Sequence, residues 1–560
     1  MEVAEAGMKR GESEHSALRP PHSALEWWRE AVFYQIYVRS FQDANGDGIG
    51  DLAGLIERLD YLNDGTPNSL GVDALWLNPI NPSPMFDFGY DVSDYCAIDP
   101  VFGTLDDLDR LVAEAHRRNM RVILDLVPNH SSHLHAWFRE SRSSRTSSKR
   151  DWYTWRDPAP DGGPPNNWVS VFGGPAWEFD EQTGQYYLHS FLVEQPDLNY
   201  RNPAVVEAME NVLTFWLDRG VDGFRVDVIH KMVKDAALRS NPKPNPSQEH
   251  PIIHYGGQVH LHDEDQPEVH DVIRSWRRIL DRYGAGTMVG EVGLYDPVRI
   301  AAYQGNGHDE LPLAFNFPFL WTPWDAAAFR ERVDEIERVW PPAAQPTYTL
   351  SNHDVPRHRS RFDDARYGDA RARVAALMLL TLRGTPFVYY GDEIGMLDGV
   401  IPAERICDPV GKRFPAVGRD PCRTPMQWSG GRLAGFTTAP DAWLPLSSDH
   451  TRINVAAERN DSRSLLSFYR RLVWYRKQCA PLTRGTYRAL DRAPDTFVYV
   501  REHAGEMRLV ALNFASEART IALPSGPARV ELSTDPDRAI GAVPAGSFTL
   551  APSEGVLIAL

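Results

Sequence analysis

The sequence predicts an α/β protein built on a closed (β/α)8 TIM barrel, with an inserted domain after the third strand and a C-terminal antiparallel β-sandwich. Three observations predict it. Short apolar, β-branched or aromatic runs recur at 32–41, 74–80, 121–130, 223–229, 287–292, 313–319, 346–354 and 386–395, apolar nearly throughout, as strands buried on both faces are. Amphipathic helical segments separate these runs, the pattern of a parallel sheet with crossover helices. After residue 477 the helical periodicity stops and short alternating runs take over. From rhythm alone a doubly wound open sheet is the alternative; eight repeats favour a barrel.

Taken in order, residues 1–25 hold Lys9, Arg10 and Arg19 among several acids, with no apolar run of signal-peptide length. They read as a flexible tail. The barrel is expected over 26–130 and 201–484. Within it, 105–118 places apolar residues at 105, 108, 111, 112 and 115, one face of a helix; 203–219 reads likewise. The interval between His130 and Gly223 far exceeds a strand-to-helix connection. Its SRSSRTSSKR run, its GGPP turn and Trp152, Trp155, Trp168 and Trp177 mark a loop-rich insertion, expected over 131–200. Strand-like runs at 485–490, 496–503, 507–514, 519–523, 529–533 and 556–560 build the sandwich, 485–560.

Composition narrows the function. Of 560 residues 42% are hydrophobic and 24% charged, so a large core can form. Lys+Arg 59 against Asp+Glu 76 leaves −17, the wrong sign for a nucleic-acid partner. No stretch of about 18 apolar residues is present, so no membrane partner is expected. Cys96, Cys407, Cys422 and Cys479 are too scattered for a disulfide framework or a CxxC metal site. A cytoplasmic enzyme is the expectation; the sequence carries no signal for oligomeric state.

In such barrels chemistry sits at the C-terminal strand ends. Here these carry Asn129-His130, Arg225 and Asp227, Glu291, and His353-Asp354. A single Asp there could merely cap a helix. Four polar endings on apolar strands are harder to dismiss, since burying them unpaired is costly. Glycosidic bond cleavage uses such carboxylates: a retaining enzyme places a nucleophile and an acid/base about 5 Å apart. Arg225 and Asp227, two apart on a strand, share a face. The guanidinium can then keep Asp227 ionised as nucleophile, while Glu291 stays protonated in a drier setting. His130 and His353 would hydrogen-bond sugar hydroxyls, and Asp354 would clamp the 2- and 3-hydroxyls.

The stretches DLVPNH (125–130), GFRVDV (223–228), GEV (290–292) and LSNHD (350–354) resemble the four conserved blocks of the α-amylase superfamily, glycoside hydrolase family 13. QPDLN (195–199), FYQIYVRSF (33–41), DFGYDVSDY (87–95) and RTPMQW (423–428) resemble its oligo-1,6-glucosidase and α-glucosidase branch. The resemblance spans 27 to about 480. It implies Asp227 as nucleophile, Glu291 as acid/base and Asp354 as transition-state stabiliser, with Arg225, His130 and His353 around them. It further implies that Tyr90 stacks under the non-reducing glucose and that Phe191 forms a wall of the pocket. Asp87 and Arg423 would pair on that glucose's 4-hydroxyl and make the enzyme exo-acting. Cys422 departs from the alanine or glutamate expected there.

The loop Asp43-Ala-Asn45-Gly-Asp47-Gly-Ile49-Gly-Asp51 alternates oxygen donors with glycines, as hard-cation loops do, although Gly54 stands where an EF-hand needs a bidentate Glu. A plain Asn/Asp/Gly turn is the alternative. The family resemblance implies structural Ca2+ on Asp43, Asn45, Asp47, the Ile49 carbonyl and Asp51, and no organic cofactor. Val228, after the nucleophile, resembles α-1,6-acting members more than α-1,4-acting ones. RHRSRFDD (357–364) does not match the Arg-rich loop of sucrose-isomerising relatives. The expected activity is an exo-acting retaining α-glucosidase on short oligosaccharides, with transglucosylation as a possible partner reaction. Isomaltose-type bonds are the alternative substrate, and a non-catalytic barrel scaffold the distant one; the retained carboxylates speak against the latter.

Overall fold

The computed structural model describes residues 26–244, 255–284, 286–490, 493–544 and 546–560. The expected tail, 1–25, lies outside them. Eight parallel strands form the barrel: β1 (Phe33–Ile36), β2 (Ala74–Leu77), β3 (Arg121–Leu126), β7 (Gly223–Val226), β8 (Thr287–Gly290), β9 (Leu313–Ala314), β10 (Thr347–Thr349) and β11 (Thr385–Tyr389). Pairing runs β10-β11-β1-β2-β3-β7-β8-β9. At the seam between β9 and β10 the Thr347 hydroxyl donates to the Ala314 carbonyl.

Every expected strand is present, and each of the eight ends earlier than the apolar run does. The run at 32–41 leaves the sheet after Ile36 and turns helical at Val38–Phe41. The run at 313–319 gives only the two-residue β9; Asn316 then accepts from the Phe319 N–H (3.3 Å) and starts the short helix Phe317–Leu320. Hydrophobicity continues past the strands because the chain stays buried above the barrel mouth, where period-two pairing has ended.

The helices follow their sequence signals. Leu105–Arg117 begins at a reciprocal Thr104–Asp107 capping box. Pro203–Asp218 begins with Asn202 as N-cap and Pro at its first position. The insertion carries a small antiparallel sheet in the order β4 (Trp155–Arg156), β6 (Gln185–Leu188), β5 (Trp177–Asp180).

The C-terminal region pairs β12 (Thr486–Ala489), β13 (Thr496–His503), β14 (Glu506–Asn513), β19 (Gly555–Ala559), β16 (Ala528–Ser533) and β17 (Gly541–Val543) in that order. A second sheet of β15 (Arg519–Ala522) and β18 (Ser547–Leu550) covers it, with Val500, Ile521, Val530 and Phe548 sharing the core between them. Alternation carries the opposite face, Phe497, Tyr499, Leu512 and Leu557, into the main core of the barrel's outer layer. Strands β17 and β18 escaped the sequence reading because each is short and flanked by Gly and Pro.

Inside the barrel Phe33, Trp76, Ile123, Val289, Leu313 and Phe387 form one apolar cluster. Two residues further along the same strands, on the same face, stand Gln35, Asn78, Asp125 and Glu291. The polar floor of the site is thus the next inward layer above a packed plug.

Candidate active site

Asp227 follows the last residue of β7 and Glu291 the last of β8. Two backbone bonds fix them: Asp227 N–H donates to the Leu126 carbonyl and Glu291 N–H to the Val226 carbonyl, both at 2.8 Å. Arg225 lies between them. Its Nη1 donates to Asp125 Oδ1 (2.7 Å) and Asp227 Oδ1 (2.8 Å), and its Nη2 to Glu291 Oε2. The two carboxylates therefore sit on neighbouring nitrogens of one guanidinium, as a nucleophile and acid/base across one anomeric carbon would.

One guanidinium serves three acids at once. Burial pushes Asp227 well above the ordinary carboxylate range; Arg225 opposes this, and Glu291 and Asp125 reinforce it. Asp125 is pushed up to about 6 by burial, against Arg225 and Tyr90. Arg225 therefore favours the ionised form of Asp227, as expected, but burial outweighs it.

Asp354 has the opposite setting. Burial works against its charge, but His353, Arg419 and Arg423 hold its carboxyl well below the usual range. Burial pulls His353 down to about 4, so at neutral pH the two guanidiniums do this work, Arg423 Nη2 at 2.9 Å and Arg419 Nη1 at 3.2 Å. His353 Nδ1 accepts from Gln35 Nε2 (2.8 Å), which leaves the proton on Nε2, facing Asp354 Oδ2 (3.0 Å) and the Tyr90 hydroxyl (2.6 Å). Tyr90 in turn donates to Asp125 Oδ2 (2.9 Å), and its ring lies parallel to His353, 6° between planes.

Asp87, Tyr90, His130, Phe191, Asp227, Glu291 and Asp354 line one cavity of about 230 Å3. Three predicted residues lie behind it. Arg225, His353 and Arg423 are no more than 2% exposed and act on the lining groups. Both ring nitrogens of His353 have partners within the protein, and through Nε2 it holds the cavity-lining Tyr90 and Asp354. His130 Nε2 is spent on the Tyr90 carbonyl (3.0 Å).

The expected Asp87–Arg423 pair is corrected as well. The partner of Asp87 is Arg419, at 2.7 Å, while Arg423 Nε is spent on the His353 carbonyl (2.7 Å). Arg419 also binds Asp408 Oδ1 (2.6 Å) and lies over the Phe172 ring. Sequence reasoning missed Arg419, Asp408, Gln35, Asn78 and Asp125. Asp125 and Gln35 were within reach, because each repeats the inward parity of its strand; Arg419 stands just before the short 3-10 segment Asp420–Arg423, where there is no period to read. Gln195 of the QPDLN stretch donates to Asp87 Oδ2 (3.1 Å), holding that carboxylate from the insertion side.

In the loop after β1 the oxygen donors serve the backbone. Asp43 accepts from Gly46 and Gly48 N–H (2.7 and 2.8 Å), Asn45 from Asp47 (2.9 Å), Asp47 from Ile49 (2.8 Å), and Asp51 from Ala44 and Asn45 (both 3.2 Å). Asp51 also caps the helix Leu52–Glu57. Among the described residues no group of three or more His, Cys, Asp or Glu converges as a metal site. The donor chemistry suits a hard cation, although Asp51 Oδ2 already accepts from both Ala44 and Asn45 N–H and Asp43 Oδ2 from Gly48 N–H and the Thr437 hydroxyl.

A parallel barrel that gathers carboxylates around one guanidinium at its strand ends, beneath an aromatic-walled cavity, has the architecture of a glycoside hydrolase. The α-amylase catalytic-domain model matches residues 35–485. A protein of Rhizobium meliloti (strain 1021) named "Probable alpha-glucosidase" is 43% identical, covering 92% of this chain and 94% of its own. The oligo-1,6-glucosidase of Heyndrickxia coagulans is 39% identical over 88% and 92%. Among solved structures the alpha-glucosyl transfer enzyme XgtA superposes with a TM-score of 0.89 at 40% identity, covering 96% of this chain and 99% of its own. The chain belongs to the α-amylase family of glycoside hydrolases.

Proposed function

We propose that the protein is an exo-acting, retaining α-glucosidase that releases α-D-glucose from the non-reducing ends of short maltose-type oligosaccharides, with glucosyl transfer as a competing outcome. The observation that carries this reading is Arg225 holding Asp227 and Glu291 side by side in one cavity. Asp227 attacks the anomeric carbon while Glu291 protonates the leaving oxygen; water, deprotonated by Glu291, then opens the β-glucosyl ester. Asp354, kept ionised, accepts from the ring hydroxyls. Asp87 and Arg419 hold the 4-hydroxyl, Tyr90 lies under the sugar and Phe191 beside it.

Proton NMR of maltose hydrolysis tests this directly. α-Glucose should form first, and Asp227→Ala should release none; first-formed β-glucose would overturn the retaining mechanism. A second reading, action on α-1,6 bonds, is favoured by Val228, which lines the cavity next to Asp227. A higher kcat/KM for isomaltose than for maltose would establish it.

Finer features belong to the same proposal. The chain divides at 26–130 with 201–484, 131–200 and 485–560. It works in the cytoplasm, in keeping with four free cysteines. The loop through Asp43, Asn45, Asp47, the Ile49 carbonyl and Asp51 takes up structural Ca2+, supported by its run of hard oxygen donors. Ca2+ should then raise the unfolding temperature of chelator-treated protein, and Asp47→Ala should abolish the rise; equal midpoints with and without Ca2+ would exclude the ion.

A further inference from the structure

The segment 83–91 follows β2 and carries Asp87 and Tyr90. It is held in a strained shape, with Met85 and Phe88 both left-handed at φ +64° and +46°. The Asp91 carboxylate fixes that shape from within, accepting from the Ser83 hydroxyl (2.7 Å) and from the Phe86 and Asp87 N–H groups (both 3.0 Å). Met85 N–H donates to the same Ser83 Oγ (2.9 Å). A displacement of Met85 is therefore passed to Asp87, two residues on, whose carboxylate meets Arg419 and Gln195.

Met85 is half-buried, and its sulfur faces Arg39 of the helix Val38–Phe41, with Nη2 3.6 Å from Sδ. Arg39 is 9% exposed and ringed by Phe88, Phe102 and Trp443. Among the described residues this sulfur is the one hydrogen-bond acceptor its guanidinium has; Asp47 and Asp99 act on it only from a distance. A thioether is a weak acceptor, so a buried cation here lacks the strong oxygen such groups normally find. The other described methionines are at most 1% exposed, apart from half-buried Met507 on β14. Thiols compete poorly for peroxide, because the thiolate is the reacting form. Burial pushes Cys96 up to about 11 and raises Cys407 and Cys422 as well, and Cys479 is buried.

We propose that Met85 is a peroxide-modification site, at which a sulfoxide oxygen becomes the acceptor of Arg39 and loosens the hold of Asp87 on the sugar. The sulfur attacks one oxygen of hydrogen peroxide, the O–O bond breaks, and the other oxygen leaves as water after a proton shift. Sulfur gives up two electrons and the peroxide takes them. The new oxygen is a strong acceptor beside a cation that has no other partner to leave for it. A hydrogen bond to that oxygen needs about 3 Å between nitrogen and oxygen. An oxygen inserted beside a contact of 3.6 Å makes the sulfur retreat, and the segment fixed by Asp91 moves with it. Reduction of the sulfoxide restores the original contact. The effect on turnover rests on the α-glucosidase reading above, whereas the modification itself is read by mass.

The experiment titrates the full chain with hydrogen peroxide and weighs its peptides, with Met507 as the internal measure of dose. Met85 should gain one oxygen no more slowly than Met507, and the buried methionines should stay unchanged. At that dose KM for maltose should rise about fivefold or more, with kcat within about twofold. Methionine sulfoxide reductases A and B with dithiothreitol should reverse the rise, and dithiothreitol alone should not. Met85→Leu should keep its KM through the same treatment. Met85→Gln, whose amide oxygen mimics that of the sulfoxide, should show the raised KM without peroxide. Met85 left unmodified once Met507 has reacted, or an equal KM rise in wild type and Met85→Leu, overturns the proposal. An unchanged KM in both the oxidised protein and Met85→Gln overturns it too. Failure of untreated protein to consume maltose would instead count against the α-glucosidase reading, apart from the mass result at Met85.

Discussion

Single residues in this site are defined by whom they touch. Arg419 neutralises Asp87, Asp354 and Asp408 together, whereas Arg423, four residues on, serves Asp354 and the His353 carbonyl. A charge-assisted bond of this kind contributes about 1.5–3 kcal/mol. Arg419→Ala should therefore lower kcat/KM on maltose by roughly 10–100-fold, mainly through KM. A double-mutant cycle separates the two arginines: Asp87→Ala and Arg419→Ala should couple by about 1–3 kcal/mol, while Asp87→Ala and Arg423→Ala should add nearly independently. The reverse order would restore the Asp87–Arg423 pairing. Lysine should not rescue position 419, since a point charge cannot serve three carboxylates in a fork.

Elements decide where those residues can stand. Strand β7 opens on Gly223, whose φ of +153° lies outside ordinary side-chain territory and whose missing Cβ would fall 2.0 Å from the Thr287 carbonyl of β8. That close approach packs β7 against β8 and so sets the spacing between Asp227 and Glu291. Gly223→Ala should cost more than about 2 kcal/mol of stability, read as a lower denaturant midpoint. Unchanged stability would show that the strands can part without loss. Val228 is held left-handed at φ +35°, a strained setting for a β-branched residue, at the turn that carries the chain away after Asp227. Strand content was legible in the apolar runs, yet their ends were not, because burial above the barrel mouth continues after pairing stops.

Across the whole molecule, the closure of the barrel buries acids that take no part in the site. Glu393, just beyond β11, accepts from Tyr34 of β1 (2.8 Å) and from Tyr61 of the adjoining helix (2.6 Å). Burial pushes its carboxyl up to about 7, and that of nearby Glu458 likewise. A carboxyl raised on folding stabilises the native state below its unfolded pKa near 4.5, and that contribution is lost as pH rises towards 7. For Glu393 the shift corresponds to about 3 kcal/mol. Glu393→Gln should thus gain unfolding temperature relative to wild type between pH 5 and pH 8; a difference independent of pH would show that Glu393 is ionised throughout. The sequence by itself determined the barrel, the insertion, the sandwich and the residues that gather at the strand ends, because period and motif are local and survive without neighbours. Only the tertiary structure decided that Arg419 and not Arg423 meets Asp87, that Arg225 is divided among three acids, and that His353 faces inward. Each of these depends on which side chains from distant strands compete for one partner, and no spacing along the chain records that competition.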